Sequence, residues 1–399
     1  MSTPASKTTN PAHVSETADA PMAFGSADLR LTAGQWAAAL VILVPLLLLT
    51  PWGWSKVERF DTGANYRLPY ALSRDYWLYE RRLKQKVEPT QTLMIGDSVI
   101  WGEYVRPDGA WSSFMNRETG AKEGAEFINA GVNGMFPLAL EGLVRHYAPM
   151  ARGQKVILNC NLLWMTSPQA DLSSEKQEHF NHSRLVPQFT PKIPCYRADA
   201  NERIGALIQN EVPFLAWVNH LQDAYFDQKN LTGWTLEDDG SDPPKYPNAR
   251  KNPLAQIKFA VPEAPANDPQ RGPESPRHHA WSNKPRGTSR FEWVPLEKSL
   301  QWAAFQRLVE LLQSRGVNVF VVVGPFNEHM LAEENVPACH ATRDGIDAWL
   351  TQHQVPHWKP EALPSELYAD ASHPLTAGYE MLAKRMLAEP VFKQWLPAK

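Results

Sequence analysis

Hydrophobic and polar positions divide the chain into regimes. From Leu31 to Ser55 no residue is charged, and Trp36 to Thr50 is apolar almost throughout. About 20 such residues span a bilayer, and Trp36, Trp52 and Trp54 stand where interfacial aromatics sit. The pattern predicts a transmembrane anchor over 31–55, preceded by a disordered tail over 1–30 that is rich in Ser, Thr, Ala and Pro. A cleaved signal peptide or a buried core helix would share this composition. The bulky Thr50-Pro51-Trp52-Gly53-Trp54 offers no small-residue cleavage site, which favours an uncleaved anchor. Residues 56–90 read as a polar connector, with a short helix of mixed charge after Arg74.

Strand-like and helix-like runs then alternate. Thr92 to Ile95, Phe127 to Gly134 and Lys155 to Asn161 read as short strands, and each ends in small or amide residues. Leu138 to Tyr147 has apolar residues at helical spacing, as do Leu300, Ala303, Ala304, Leu308, Leu311 and Leu312. Val317 to Val323 is a β-branched strand closed by Gly324-Pro325; Asp344 to Leu350 and Tyr379 to Leu387 read as helices. Strand, turn and helix in rotation predict an α/β domain with a parallel sheet over 91–399. From about 166 to 295 the pattern loosens, leaving one predicted helix from about Arg203 to Tyr225. Residues 241–290 carry ten Pro, nine Lys or Arg and only four Asp or Glu. The whole of about 166–295 is expected to be an insertion, either a solvated loop or a cover that touches substrate.

Composition narrows the function little. A net charge of −3 over 399 residues gives no electrostatic reason to expect nucleic acid as a partner. Three cysteines, Cys160, Cys195 and Cys339, are too few for a disulfide framework, although one bridge would be compatible with them. There is no Gly-rich phosphate loop, no His-Glu-x-x-His and no Gly-x-Ser-x-Gly elbow. Glu328, His329 and His340 can approach a metal, but isolated polar residues after a strand more often line a pocket. No cofactor or metal is expected.

The candidate chemistry gathers at Gly96-Asp97-Ser98, where the first predicted strand ends. Ligands of open α/β sheets bind at that edge. A serine there needs a base to take its proton. Of twelve histidines, only His373 has an acid three positions earlier, Asp370. A carboxylate at that spacing can hold the ring Nδ1–H and leave Nε2 for the serine, which is the logic of a Ser-His-Asp triad. Thr376 is the expected cap of the helix that follows. Oxyanion donors are expected from the backbone N–H groups of Ser98 and Gly134 and from the side-chain amide of Asn161. Taken singly, each has a plainer role: a helix cap, a turn glycine, a strand-end amide.

These blocks together resemble the SGNH (GDSL-like) hydrolase superfamily. Gly96-Asp97-Ser98 is similar to its first block, Asn129 to Gly134 to its second, Asn159-Cys160-Asn161 to its third and Asp370-Ala-Ser-His373 to its last. The third departs from the usual Gly-x-Asn-Asp, with Asn159 for Gly and Leu162 for Asp. The resemblance covers roughly 91–165 and 296–390. It implies a three-layer α/β/α, flavodoxin-like fold and metal-free ester chemistry through a serine acyl-enzyme. It further implies an acylated glycan or lipid-linked substrate of the cell envelope, sometimes handled beside a membrane-bound O-acyltransferase. The expected function is therefore a membrane-tethered serine esterase or O-acyltransferase with its large domain outside the cytoplasm. The flanking cations point the other way: Lys7 and Arg30 precede the span, whereas Lys56, Arg59, Arg67 and Arg74 follow it. The alternative is a non-catalytic glycan-binding protein of envelope assembly with the same fold.

Overall fold

The structure, a computed structural model, describes residues 31–63, 65–121, 126–237, 251–263, 279–281 and 287–396. The expected tail over 1–30 and most of the Pro-rich 241–290 lie outside the described residues. Two compact units divide the chain, 1–47 and 48–399.

Helix α1, Ala33–Val57, begins in the first unit. Its 25 residues extend about 37 Å at the α-helical rise, enough for the ~30 Å hydrocarbon core of a bilayer. Most of its apolar side chains from Trp36 to Leu49 are exposed. Among the described residues it is the one helix long and apolar enough to cross a membrane.

The second unit is mixed α/β. Its elements, in order, are α2 (Tyr76–Lys86), β1 (Thr92–Ile95), α3 (Ser98–Trp101), α4 (Trp111–Glu118), β2 (Phe127–Asn129), α5 (Pro137–Tyr147) and β3 (Lys155–Cys160). Then follow α6 (Ala200–Glu211), α7 (Pro213–Tyr225), α8 (Leu231–Leu236), α9 (Pro253–Gln256), α10 (Leu300–Ser314), β4 (Asn318–Val323), α11 (Val336–Gln352), β5 (His357–Trp358), α12 (Thr376–Ala388) and α13 (Pro390–Trp395). Five strands form one sheet in the order β2-β1-β3-β4-β5, every pair parallel. This is an order of doubly wound sheets, whose switch point lies between β1 and β3.

Both faces of the sheet are covered, which is why its strands read as unbroken apolar runs rather than alternating ones. Leu93, Ile95, Val156, Leu158, Val319 and Val321 face a core shared with α5 and α10, through Leu140, Leu143, Leu308 and Leu312. Met94, Ile157, Phe320 and Val322 face the opposite core, against Phe114 of α4, Leu382 and Met386 of α12 and Phe392 of α13. The two-residue β5 is too short to leave a periodic signal and went unpredicted.

Three expectations change. The segment expected as a polar connector is a wall of the domain: Tyr76, Leu78, Tyr79, Arg81, Arg82 and Leu83 are buried. Its guanidiniums are placed by backbone carbonyls, Arg82 donating to Asn129 O at 2.5 Å and to Tyr66 O at 2.9 Å. The single helix expected over 203–225 is two, because Pro213 cannot continue α6 and instead starts α7. The start of the expected insertion belongs to the core. Asp171, fully buried, accepts from the N–H groups of Leu300 and Gln301, both at 3.1 Å, and from Ser299 Oγ, fixing the start of α10. All three cysteines are free and buried, so the bridge that composition allowed does not form.

A buried ionic cluster ties the residues just after α1 to the domain. His220 of α7 lies between Asp75, 2.6 Å from Nδ1, and Glu58, 2.9 Å from Nε2. Arg81 donates to Glu58 at 2.5 Å. The His220, Asp75 and Glu58 side chains have no solvent exposure. Burial alone would lower the His220 pKa, yet Asp75 and Glu58 outweigh it and push it up to about 9.

Candidate active site

The chain brings Ser98 together with His373, 275 positions away, and its neighbour Asp370 at the carboxyl edge of the sheet. β1 ends at Ile95, and Asp97 caps α3 by accepting from Val99 N at 2.9 Å. Asp97 Oδ2 also accepts from Asn161 Nδ2 at 2.7 Å and from Trp164 Nε1 at 2.8 Å. The buried carboxylate thus joins the turns after β1 and β3 on either side of the switch point, and it fixes Ser98 as the first residue of α3. There the Ser98 N–H has no carbonyl of its own helix to meet. At the other end of this one-turn helix, Arg67 donates to the carbonyls of Trp101, Gly102 and Val105 at 2.9, 2.5 and 2.7 Å.

His373 reaches Ser98 from the loop before α12. Its Nε2 is 2.7 Å from Ser98 Oγ, and its Nδ1 is 2.8 Å from both carboxylate oxygens of Asp370. A carboxylate only accepts, so Nδ1 carries the proton and Nε2 accepts from the serine hydroxyl. The loop is rigid for identifiable reasons. Asp370 Oδ1 accepts from the N–H groups of Ser372 and His373, each at 3.0 Å, and Tyr368 pairs with Pro374 in an antiparallel bridge. Asn327, beyond β4, donates through its backbone to Ala371 O at 2.8 Å. Thr376 does not cap α12 as expected: Leu375 holds the cap position, with no side-chain bond.

Burial of this site would raise Asp370 and lower His373. Their mutual attraction and hydrogen bond overcome it, with the two loop N–H groups helping the carboxylate. Asp370 is held well below the usual carboxylate range. His373 is raised above the ordinary imidazole value, with Asp97 and Glu103 adding to the effect of Asp370.

Tyr104 is a partner the sequence did not reveal. Its hydroxyl donates to Asp370 Oδ2 at 3.0 Å, and its ring meets the His373 ring edge-on with centroids 5.3 Å apart. It lies 266 positions from Asp370 in a segment without periodicity. Arg67 was legible only as one of the cations following the span.

The expected oxyanion donors stand on neighbouring turns. Val132 N donates to Gly96 O at 3.1 Å, so the turns after β2 and β1 are bonded directly. Gly131 lets the turn after β2 lie against α3, since a Cβ there would lie 2.4 Å from Trp101 N. Gly134 has φ +70°, a conformation that favours glycine. His182 clamps the same turn, Nε2 lying 2.9 Å from Asn133 O and Nδ1 2.9 Å from the Tyr76 hydroxyl. Asn161 is less free than its position at a strand end suggested. One amide hydrogen goes to Asp97, and Oδ1 accepts from Leu163 N at 3.0 Å.

Glu328, His329 and His340 do not converge on a metal. Glu328 pairs with His340 at 2.8 Å and with Arg343, while His329 Nε2 lies 2.9 Å from Leu363 O. Among the described residues no group of three His, Cys, Asp or Glu side chains is arranged to hold a metal ion. In comparison with known proteins, the chain matches no protein-family model and no curated protein.

Proposed function

We propose that the protein is a membrane-tethered serine esterase or O-acyltransferase with a flavodoxin-like SGNH fold. The observation that carries this reading is the 2.7 Å contact between Ser98 Oγ and His373 Nε2, with Asp370 on the other ring nitrogen. In this mechanism His373 takes the hydroxyl proton as Ser98 Oγ attacks the carbonyl carbon of an ester. Asp370 keeps the ring oriented and stabilises the imidazolium that forms. The tetrahedral oxygen is held by the N–H groups of Ser98 and Gly134 and by the amide hydrogen of Asn161 not bonded to Asp97. His373 then protonates the leaving alkoxide, and an acyl-serine remains. Water completes hydrolysis; a sugar hydroxyl in its place completes transfer.

The substrate class proposed is an acyl ester, acetyl in the simplest case, of a cell-envelope or extracellular glycan. The apolar helix supports a membrane location, and the glycan follows from the resemblance at Gly96-Asp97-Ser98 and Asp370-Ala-Ser-His373. The test incubates the full-length protein in detergent with acetylated and unacetylated glycans plus an acetyl donor, followed by product mass analysis. Loss of acetyl groups from the glycan identifies an esterase, and their gain identifies a transferase. Binding without either change would reduce the protein to a glycan-binding role.

A further inference from the structure

A cavity of about 430 Å³ opens beside the turn that carries Gly134. Asn181 on its wall is the first neighbour a Cβ on Gly134 would meet, at 2.7 Å. Arg74, Arg184, Asn219 and Asp223 also line it, and His179, Phe180, Ser183 and Arg184 line both it and a second cavity of about 580 Å³.

The wall is richer in positive charge than in acid. Arg74 donates to Asn181 Oδ1 at 3.4 Å, and Arg184 donates to Gln209 Oε1 at 3.1 Å and to Arg74 O at 3.4 Å. These acceptors are all neutral. Asp223 is the one acid among the described lining residues. Burial and then Asp75 push its carboxyl up to about 7, against the pull of Arg184, His220 and Arg74. Near neutral pH it therefore offsets only part of the two guanidinium charges. His182 adds no positive charge, because burial holds it down at about 4. Asn219 Nδ2 is buried without a hydrogen-bond partner. Two guanidiniums, two amides and a carboxyl group around one cavity suit a ligand with one negative charge and several hydroxyls.

We propose that this cavity holds an anionic sugar unit of the polymer whose ester Ser98 attacks, an assignment that rests on the ester chemistry above. The negative group, a uronate carboxylate or a phosphate substituent, pairs with Arg74 and Arg184. Ring hydroxyls meet Asn181, Asn219 and Asp223. Contact between Asn181 and the Gly134 position brings the polymer against the oxyanion turn.

Calorimetric titration of the full-length Ser98→Ala protein in detergent tests the assignment, with trigalacturonate, neutral galactotriose and inorganic phosphate as probes. Binding is read without turnover, so a failure of the ester chemistry leaves this measurement unaffected. Trigalacturonate is expected to bind at least about ten-fold more tightly than galactotriose, and less tightly as salt rises. Arg74→Gln and Arg184→Gln should each weaken it about ten-fold or more. Arg74→Lys, which keeps the charge, should retain most of the affinity, and Lys384→Gln on α12 should change nothing. Displacement by phosphate would show that the site accepts either anion, and its absence would assign the site to a carboxylate. Equal binding of the two trisaccharides, no binding of trigalacturonate, or unchanged affinity in both arginine variants would overturn the proposal.

Discussion

At the scale of single residues, the proposal depends on how three side chains divide the handling of one proton. The raised His373 pKa has a direct kinetic consequence. The neutral ring is the base, so kcat/KM for a small ester should rise with pH and level off above a midpoint higher than the ordinary imidazole value of about 6.5. Asp370→Asn removes the charge that raises the ring, so its midpoint should move down while the rate falls by a factor on the order of 10⁴. Tyr104→Phe should do the opposite to the midpoint. Loss of the 3.0 Å bond leaves Asp370 a stronger acceptor toward His373, and the midpoint should rise with a rate loss of about ten-fold or less. A pH–rate profile of the two variants separates them by the sign of the shift. The meeting of these three side chains was legible in the sequence, Ser98 from its place at a strand end and Asp370 and His373 from their three-residue spacing. Tyr104 was not, because the only signal for it is a contact across 266 positions.

At the scale of elements, the site depends on turns packed without room for side chains. Gly131→Ala would place a methyl 2.4 Å from Trp101 N, where the neighbour is backbone and cannot swing aside. We expect a stability loss of about 1–3 kcal/mol or more, measured by denaturant unfolding, together with reduced turnover as α3 is displaced. The parallel strands were legible from their apolar runs. The division of α6 from α7 was marked by Pro213, which the helical spacing on both sides obscured. The α2 segment misled for a physical reason: its arginines are buried because carbonyls receive them, and hydropathy counts a guanidinium as polar whatever it meets.

At the scale of the molecule, the ionic cluster around His220 joins the residues after α1 to α2 and α7. Its pKa is raised in the folded state to about 9. The stability it contributes is therefore fully present below the unfolded value of about 6.5 and is lost as pH rises to about 9. Thermal melts of the full chain should show this decline. His220→Ala should abolish that part of it and lower stability by about 3–5 kcal/mol at neutral pH, since it leaves Asp75 and Glu58 buried without their shared partner. A wild-type melting temperature that rises between pH 7 and 9 would contradict this account of the cluster. The membrane anchor makes a separate prediction. The full-length chain should stay with membranes through carbonate extraction, and recovery in the soluble fraction would remove the span.

Identification of Ser98 as a nucleophile tests the central claim most directly. The full-length protein is treated with a fluorophosphonate, and its intact mass and peptides are then measured. The proposed mechanism predicts one tag, on Ser98, that is absent from Ser98→Ala and nearly absent from His373→Ala. It also predicts that the double variant turns over a p-nitrophenyl ester little more slowly than either single one. A tag on another serine, or full turnover in Ser98→Ala, would contradict it.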